Sequence, residues 1–171
     1  MRHMQYWFSF IALAFCSAAA GQPTAFEVDA QIEKSGATLV LARIFESTDL
    51  EAHVYRQISL GSASWLRLAV KLRGQSDASL TTLLNGAVAE ALVRAPYRVM
   101  PMLELGPFTP ATSCLPFLSE EELPATLLAK VARLELTMSK ISSPRYESIK
   151  GQCLALAKES RRAIERVGQR D

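Results

Sequence analysis

The chain is poor in the residues that most often carry chemistry. Two histidines occur among 171 residues, and His3 lies in a stretch expected to be removed, which leaves His53 alone. A zinc centre takes at least three protein ligands at compatible spacing, so a histidine-based zinc site is excluded. Three cysteines are too few for a scaffold held by disulfides in place of a core. Eight glycines and eight prolines fall short of a collagen-like or low-complexity chain. Neither charge sign dominates, because 19 Lys and Arg stand against 17 Asp and Glu for a formal +2, or +1 once Arg2 is removed with the leader. No basic stripe interleaved with aromatics is present to release counterions from a phosphate backbone, so a nucleic-acid partner is not expected. A Gly-x-Ser-x-Gly turn, which would expose a serine nucleophile, is also missing.

What is abundant is apolar material, 49% of the chain against 21% charged. A packed interior therefore carries the fold, and the length suits one domain. The first twenty residues read differently from the rest. Met1 to Trp7 carries Arg2 and no acid, Phe8 to Phe15 is apolar apart from Ser9, and Ser17 to Ala20 are small. That order is the layout of a signal peptide cleaved after Ala20, and it predicts a periplasmic or secreted protein running from Gly21 to Asp171. Two other readings of the same stretch stay open. A retained anchor needs about 20 apolar residues and finds fewer. Leu13 to Cys16 has the form of a lipobox, with Phe15 departing from it, which would anchor a lipoprotein at Cys16. No second run of membrane-spanning length follows, so no stable insertion is expected after cleavage.

The mature chain reads as all-α. After a loose lead-in over Gln22 to Asp29, apolar residues from Ile32 to Phe45 recur at helical spacing, with Gly36 weakening the middle. Asp49 is placed to cap a second helix closed by Gly61. Ser62 or Ser64 caps a third, carrying Trp65, Leu66, Leu68, Ala69 and Leu72, and Asp77 caps a fourth that stops before Pro96. A short Pro-interrupted turn or helix follows. Pro107, Pro110 and Pro116 make Glu104 to Leu118 irregular, while Phe108, Leu115 and Phe117 require it to be ordered and partly buried. Ser119 and Glu122 have capping-box spacing for the next helix, and Ser143-Pro144 opens the last one. About six helices on short connections predict antiparallel neighbours, in a bundle or a short stacked array. Leu-x-Leu-Ala recurs at Leu39 and Leu66, a faint sign of stacked hairpins.

With the leader gone, Cys114 and Cys153 remain as the only intramolecular pair, and a disulfide between them is expected. Closing a loop of about 40 residues stabilises by on the order of 4 kcal/mol in the chain-entropy model. Trp65-Leu66-x-Leu68-Ala69-x-x-Leu72, an acid-headed helix, Cys114-x-Pro116-Phe117 and Cys153-Leu154 together resemble small exported helical proteins of Gram-negative bacteria. The resemblance spans the chain from about Gly61 and implies a fold and a compartment, not an activity.

Few residues suggest chemistry. Asp49 and Glu46 precede His53 by four and seven residues, a spacing that lets a carboxylate orient the imidazole for general-base work or leaves a solvated helical pair. Met100-Pro101-Met102 reads as a soft copper site or as core filling. Lys158, Arg161, Arg162, Arg166 and Arg170 make the last helix end basic, which its dipole favours and which an acidic partner or anionic lipid would also meet. The loop Glu104 to Leu118, stiffened by proline and tied to a helix, is the expected partner-binding segment through Phe108, Leu115 and Phe117, unless those side chains only cover an open end of the core. The expectation is a non-catalytic exported protein without metal or cofactor that binds another exported protein, as an accessory, inhibitor or immunity-type factor. An enzyme built around His53, Asp49 and Glu46, and a carrier with an apolar cavity between helices, are the alternatives.

Overall fold

The computed structural model describes residues 21–114 and 122–167. The leader with Cys16, as well as Leu115, Phe117 and Ser119, lies outside the described residues. Among the described residues every regular element is helical, with nine α-helical segments and one 3-10 turn.

The chain becomes helical earlier than its apolar spacing predicts. Helix α1 (Ala25–Ser35) starts where the sequence suggests a loose lead-in, because Thr24 and Glu27 close a capping box. The Thr24 amide donates to the Glu27 carboxylate at 2.7 Å and the Glu27 amide donates back to the Thr24 hydroxyl at 3.3 Å, satisfying two N-terminal donors reciprocally. The single first helix expected across Gly36 is in fact two. Gly36 takes φ 84°, ψ 150°, outside any helix, and α2 (Ala37–Phe45) starts afresh after it.

Ser47, not Asp49, caps α3 (Thr48–Ser59), accepting from the Leu50 amide at 3.3 Å. Asp49 sits in the first turn, where its charge complements the helix dipole. Gly61 ends this helix at φ 73°, and a Cβ there would stand 2.7 Å from that of Ala95. Glycine is thus required twice over, by conformation and by close packing. Ser62 caps α4 (Ala63–Arg73), which buries Trp65, Leu66, Leu68, Ala69 and Leu72.

Asp77 caps α5 (Ala78–Arg94), whose buried residues include Gly86, Ala87 and Ala91 beside Leu80, Leu84, Val88 and Leu92. Small residues let neighbours approach from several sides, and α5 touches α3, α4, α6, α7 and α8. The Pro-interrupted segment after it is the ten-residue helix α6 (Pro96–Leu105), with Pro101 inside. A four-residue helix, α7 (Pro110–Ser113), lies within the segment expected to be irregular.

Helix α8 (Pro124–Ser139) begins at Pro124 with Leu123 at its cap position, so it does not start from Ser119 as the capping-box spacing suggests. The 3-10 turn Pro144–Tyr146 leads into α9 (Glu147–Val167), which packs against α8 and α7. Cys153, Ala157, Ser160 and Ile164 form its buried stripe at steps of three and four. Among the described residues the predicted six helices become nine, because Gly36 splits one and the proline-rich region contributes two more. The order of contacts runs from α1, α2 and α4 through α3 and α5 to α7, α8 and α9, with α5 central. No described helix is long and apolar enough to cross a membrane.

Candidate functional site

The two cysteines are joined. Cys114, just after α7, is bonded to Cys153 on α9, and both are fully buried. Phe108, expected to face a partner, is instead 0% exposed. It follows Gly106-Pro107 into the interior, and so its ring plugs the core and is closed to a partner in this structure. Among the described residues of that segment Leu105, at the end of α6, is an exposed apolar residue, at 80%.

His53 does not meet the carboxylates suggested by its helical spacing. Its Nε2 lies 2.9 Å from the carbonyl oxygen of Pro23, to which it donates as the Nε2–H tautomer. Its ring packs edge-on against Trp65 at 5.5 Å. Asp49 and Glu46 are exposed, and neither is hydrogen-bonded to it among the described residues. The imidazole thus fastens the segment before α1 to α3, using polar and aromatic contacts in one buried place. Met100 is fully buried and Met102 packs at the core margin, so both act as apolar filling. At the basic end of α9, Arg161 pairs with Glu135 of α8, while Lys158, Arg162 and Arg166 are exposed. Among the described residues no group of three or more potential metal-ligating side chains comes together.

The feature that sequence spacing did not single out is a cleft between α3, α5 and α8. It has a volume of about 360 Å³, and its lining includes Tyr55, Ala89, Glu90, Arg94, Lys130 and Arg133. Gly86 and Ala89 keep one wall low, while Val93 and Leu134 make part of it apolar. The disulfide reaches the cleft through Cys114. A second hollow of about 260 Å³ adjoins, sharing Tyr55 and Gly86 and adding Ser79, Thr82 and Leu83.

Polar groups within the cleft are arranged in pairs. The Tyr55 hydroxyl donates to Glu90 Oε1 at 3.0 Å, and Arg94 lies 3.7 Å from the same carboxylate, one helical turn on. Burial, then the negative charge of Glu90, pushes the Tyr55 phenol well above the ordinary tyrosine range. It is a neutral donor under all ordinary conditions. Lys130 donates to Glu122 Oε1 at 2.5 Å. Among the described residues the other oxygen, Oε2, is buried and has no hydrogen-bond partner, and Lys130 is the ion-pair partner of Glu122.

The sequence does contain a trace of this cleft. Gly86, Ala89, Glu90, Val93 and Arg94 recur at steps of three and four along α5, a face on which small, apolar and charged residues mix. A core face would not carry the charges, and a solvated face would not need the small residues. No family model, no curated protein and no solved structure matches the chain.

Proposed function

We propose that the protein is an exported, non-catalytic binding protein that takes a small ligand into the cleft between α3, α5 and α8. The observation that carries this reading is the cleft itself, a concave space between helices with a partly apolar lining and a few oriented polar groups. Binding sites for small molecules share that construction and begin at about 300 Å³. Export rests on the leader-like order of the first twenty residues, and the bonded cysteines fit an oxidising compartment. The finer architecture is read as a short stacked array with antiparallel neighbours, supported by connections of a few residues between most helices.

Native mass spectrometry of the protein released from the periplasm of expressing cells tests the reading. A discrete small-molecule adduct is expected. Ala89→Trp, placed at a partly exposed position on the wall, should abolish it while leaving the circular dichroism spectrum unchanged. A wild-type protein without any adduct, or an adduct that survives Ala89→Trp, overturns the assignment of the cleft.

A second reading, an accessory, inhibitor or immunity-type factor that binds another exported protein, is favoured by one observation. Leu105 and Leu123 are 80% and 72% exposed, and in sequence they bracket the segment that carries Phe108. Replacing both with Ser should then reduce capture of a protein partner without lowering the melting temperature.

A further inference from the structure

Gly36 is the single residue between α1 and α2. Its φ of 84° and ψ of 150° fall in a region that only glycine occupies without strain, and a Cβ there would meet nothing within 4 Å. Backbone conformation alone therefore fixes the bend. Helical hydrogen bonding runs up to it from both sides, because the Gly36 amide donates to the Ile32 carbonyl at 2.8 Å and the Gly36 carbonyl accepts from the Val40 amide at 3.3 Å. Between these two bonds the first amides of α2 are left over, with no side-chain cap and no acceptor inside their own helix. Rotation of Gly36 into helical dihedrals would join α1 and α2 into one helix and give the amides of Ala37, Thr38 and Leu39 the carbonyls of Glu33, Lys34 and Ser35. Val28, Ile32, Val40 and Ile44 are buried and fall at multiples of four, so the apolar side continues through the joint.

We propose that α1 exchanges between two copies of this chain with Gly36 as the hinge, so that the surface of α2 and α4 beneath α1 is a docking site for the α1 of a second copy. The occupant is specified by α1 itself, which packs on α2 and α4 within one chain. It brings Ala25, Val28 and Ile32, the carboxylates of Asp29 and Glu33, to which Lys71 of α4 donates at 2.6 and 2.8 Å, and the Pro23 carbonyl, to which His53 donates at 2.9 Å. All of these contacts are remade identically when α1 comes from a second copy, and the straightened joint adds its amide bonds. Release of α1 from its own chain meets little resistance from the ion pairs, which are exposed and so hold weakly. A hinge of one residue also favours exchange over closure onto the same chain. None of these residues lines the cleft between α3, α5 and α8, so the exchange and the ligand reading stand or fall separately.

Refolding an equal mixture of isotopically light and heavy protein at high concentration, followed by carbodiimide coupling, reads the exchange directly. The reagent joins Lys71 to Asp29 or Glu33 without a spacer, and mass spectrometry tells whether the two linked peptides carry one isotope or both. The dimer fraction is expected to contain mixed linkages, and the monomer fraction like linkages only. Gly36→Ala disfavours the bend and favours the helix by about tenfold at each hinge, so a dimer with two hinges should gain roughly a hundredfold in its association constant. Inserting two glycines after Gly36 keeps the bend and interrupts the straight helix, and should lower the dimer fraction below that of wild type. A Gly36→Ala protein that has the wild-type circular dichroism spectrum and stays monomeric overturns the proposal. Dimers carrying only like linkages, or a dimer fraction indifferent to the insertion, overturn it as well. If Gly36→Ala does not fold, the wild type decides, since mixed linkages support the exchange and their absence overturns it.

Discussion

Helices α1 and α7 lie toward opposite ends of the contact order, and the array holds them by different means. Helix α1 has eleven residues and brings Ala25, Val28 and Ile32 into the core. Its other attachments are polar: the Thr24 and Glu27 cap, the His53 bond to Pro23, and Lys71 of α4 donating to Asp29 and Glu33 at 2.6 and 2.8 Å. The hydrogen bond it donates to Asp29, then that to Glu33, raises the Lys71 ammonium above its ordinary range, although the group is exposed. Helix α7 has four residues, of which only Ser113 is buried. One turn cannot sustain itself in water, and its region is secured by the buried Phe108 before it and the disulfide after it. A segment that supplies enough apolar side chains can be held by weak polar contacts, and one that does not needs a plug and a covalent tie.

The largest expected effect tests the plug. Phe108→Ala, with the disulfide intact, should lower the unfolding free energy by about 3 to 5 kcal/mol, the range for emptying a buried aromatic site. Denaturant titration measures it. A loss under about 1 kcal/mol would mean that the covalent tie alone secures this region, and the comparison with α1 would lose half its basis.

Replacing Cys114 and Cys153 together with Ser comes next. The bond spans 39 residues, for which the chain-entropy model gives about 4 kcal/mol as an upper estimate, and measured losses usually fall at about 2 to 4. The melting temperature should drop on the order of 10 °C, with limited proteolysis cutting near residue 110 before it cuts α4. A variant that melts like wild type would show that α7 does not depend on the tie.

These two regions also differ in how much of them the sequence showed. The cysteine pair was legible from counting, and the helices from Trp65 to Leu92 from spacing and caps, since Ser62 and Asp77 stand directly before strong apolar periodicity. The start of α1 was hidden because its cap precedes Ala25 and Phe26, of which the phenylalanine is 82% exposed, and periodicity sees only the face that repeats. Gly36 is ambiguous in a linear reading, since a glycine within a helix and one that ends it look alike until its φ is known. Phe108 could not be placed from sequence at all, because irregular backbone has no period to tell an inward side chain from an outward one. The cleft escaped for a related reason. It needs Tyr55 of α3, Glu90 of α5 and Lys130 of α8 to converge, and beyond the mixed face of α5 contacts so far apart in the chain leave no local signature.

At the α1 end, His53→Leu preserves bulk while leaving the Pro23 carbonyl without its donor. The expected cost is about 1 to 3 kcal/mol, the range for stranding a partly buried polar partner. Amide exchange should quicken over residues 24–28 and stay unchanged in α8 and α9. Uniform quickening would mean that His53 supports the whole core through Trp65 and does not act on the segment before α1.

The smallest effect isolates the cap. Thr24→Ala removes the hydroxyl that accepts from the Glu27 amide, and the expected loss is about 1 kcal/mol. A pH dependence accompanies it, and its sign is fixed by Glu27. The Thr24 amide, then its hydroxyl, holds the Glu27 carboxyl below its ordinary range. A carboxylate whose folded value is depressed stabilises the fold above its unfolded value, and loses that contribution as the pH falls through the folded one. Acidification from about pH 7 to about pH 3, across the ordinary glutamate range, should therefore open α1 relative to α4 in wild type. Because Glu27 is fully exposed the change is small, and exchange rates of α1 amides corrected to α4 at each pH are the sensitive measure. Thr24→Ala should start with faster exchange and show less further opening on acidification. The same acid sensitivity in both proteins would place its source outside the Thr24 and Glu27 cap.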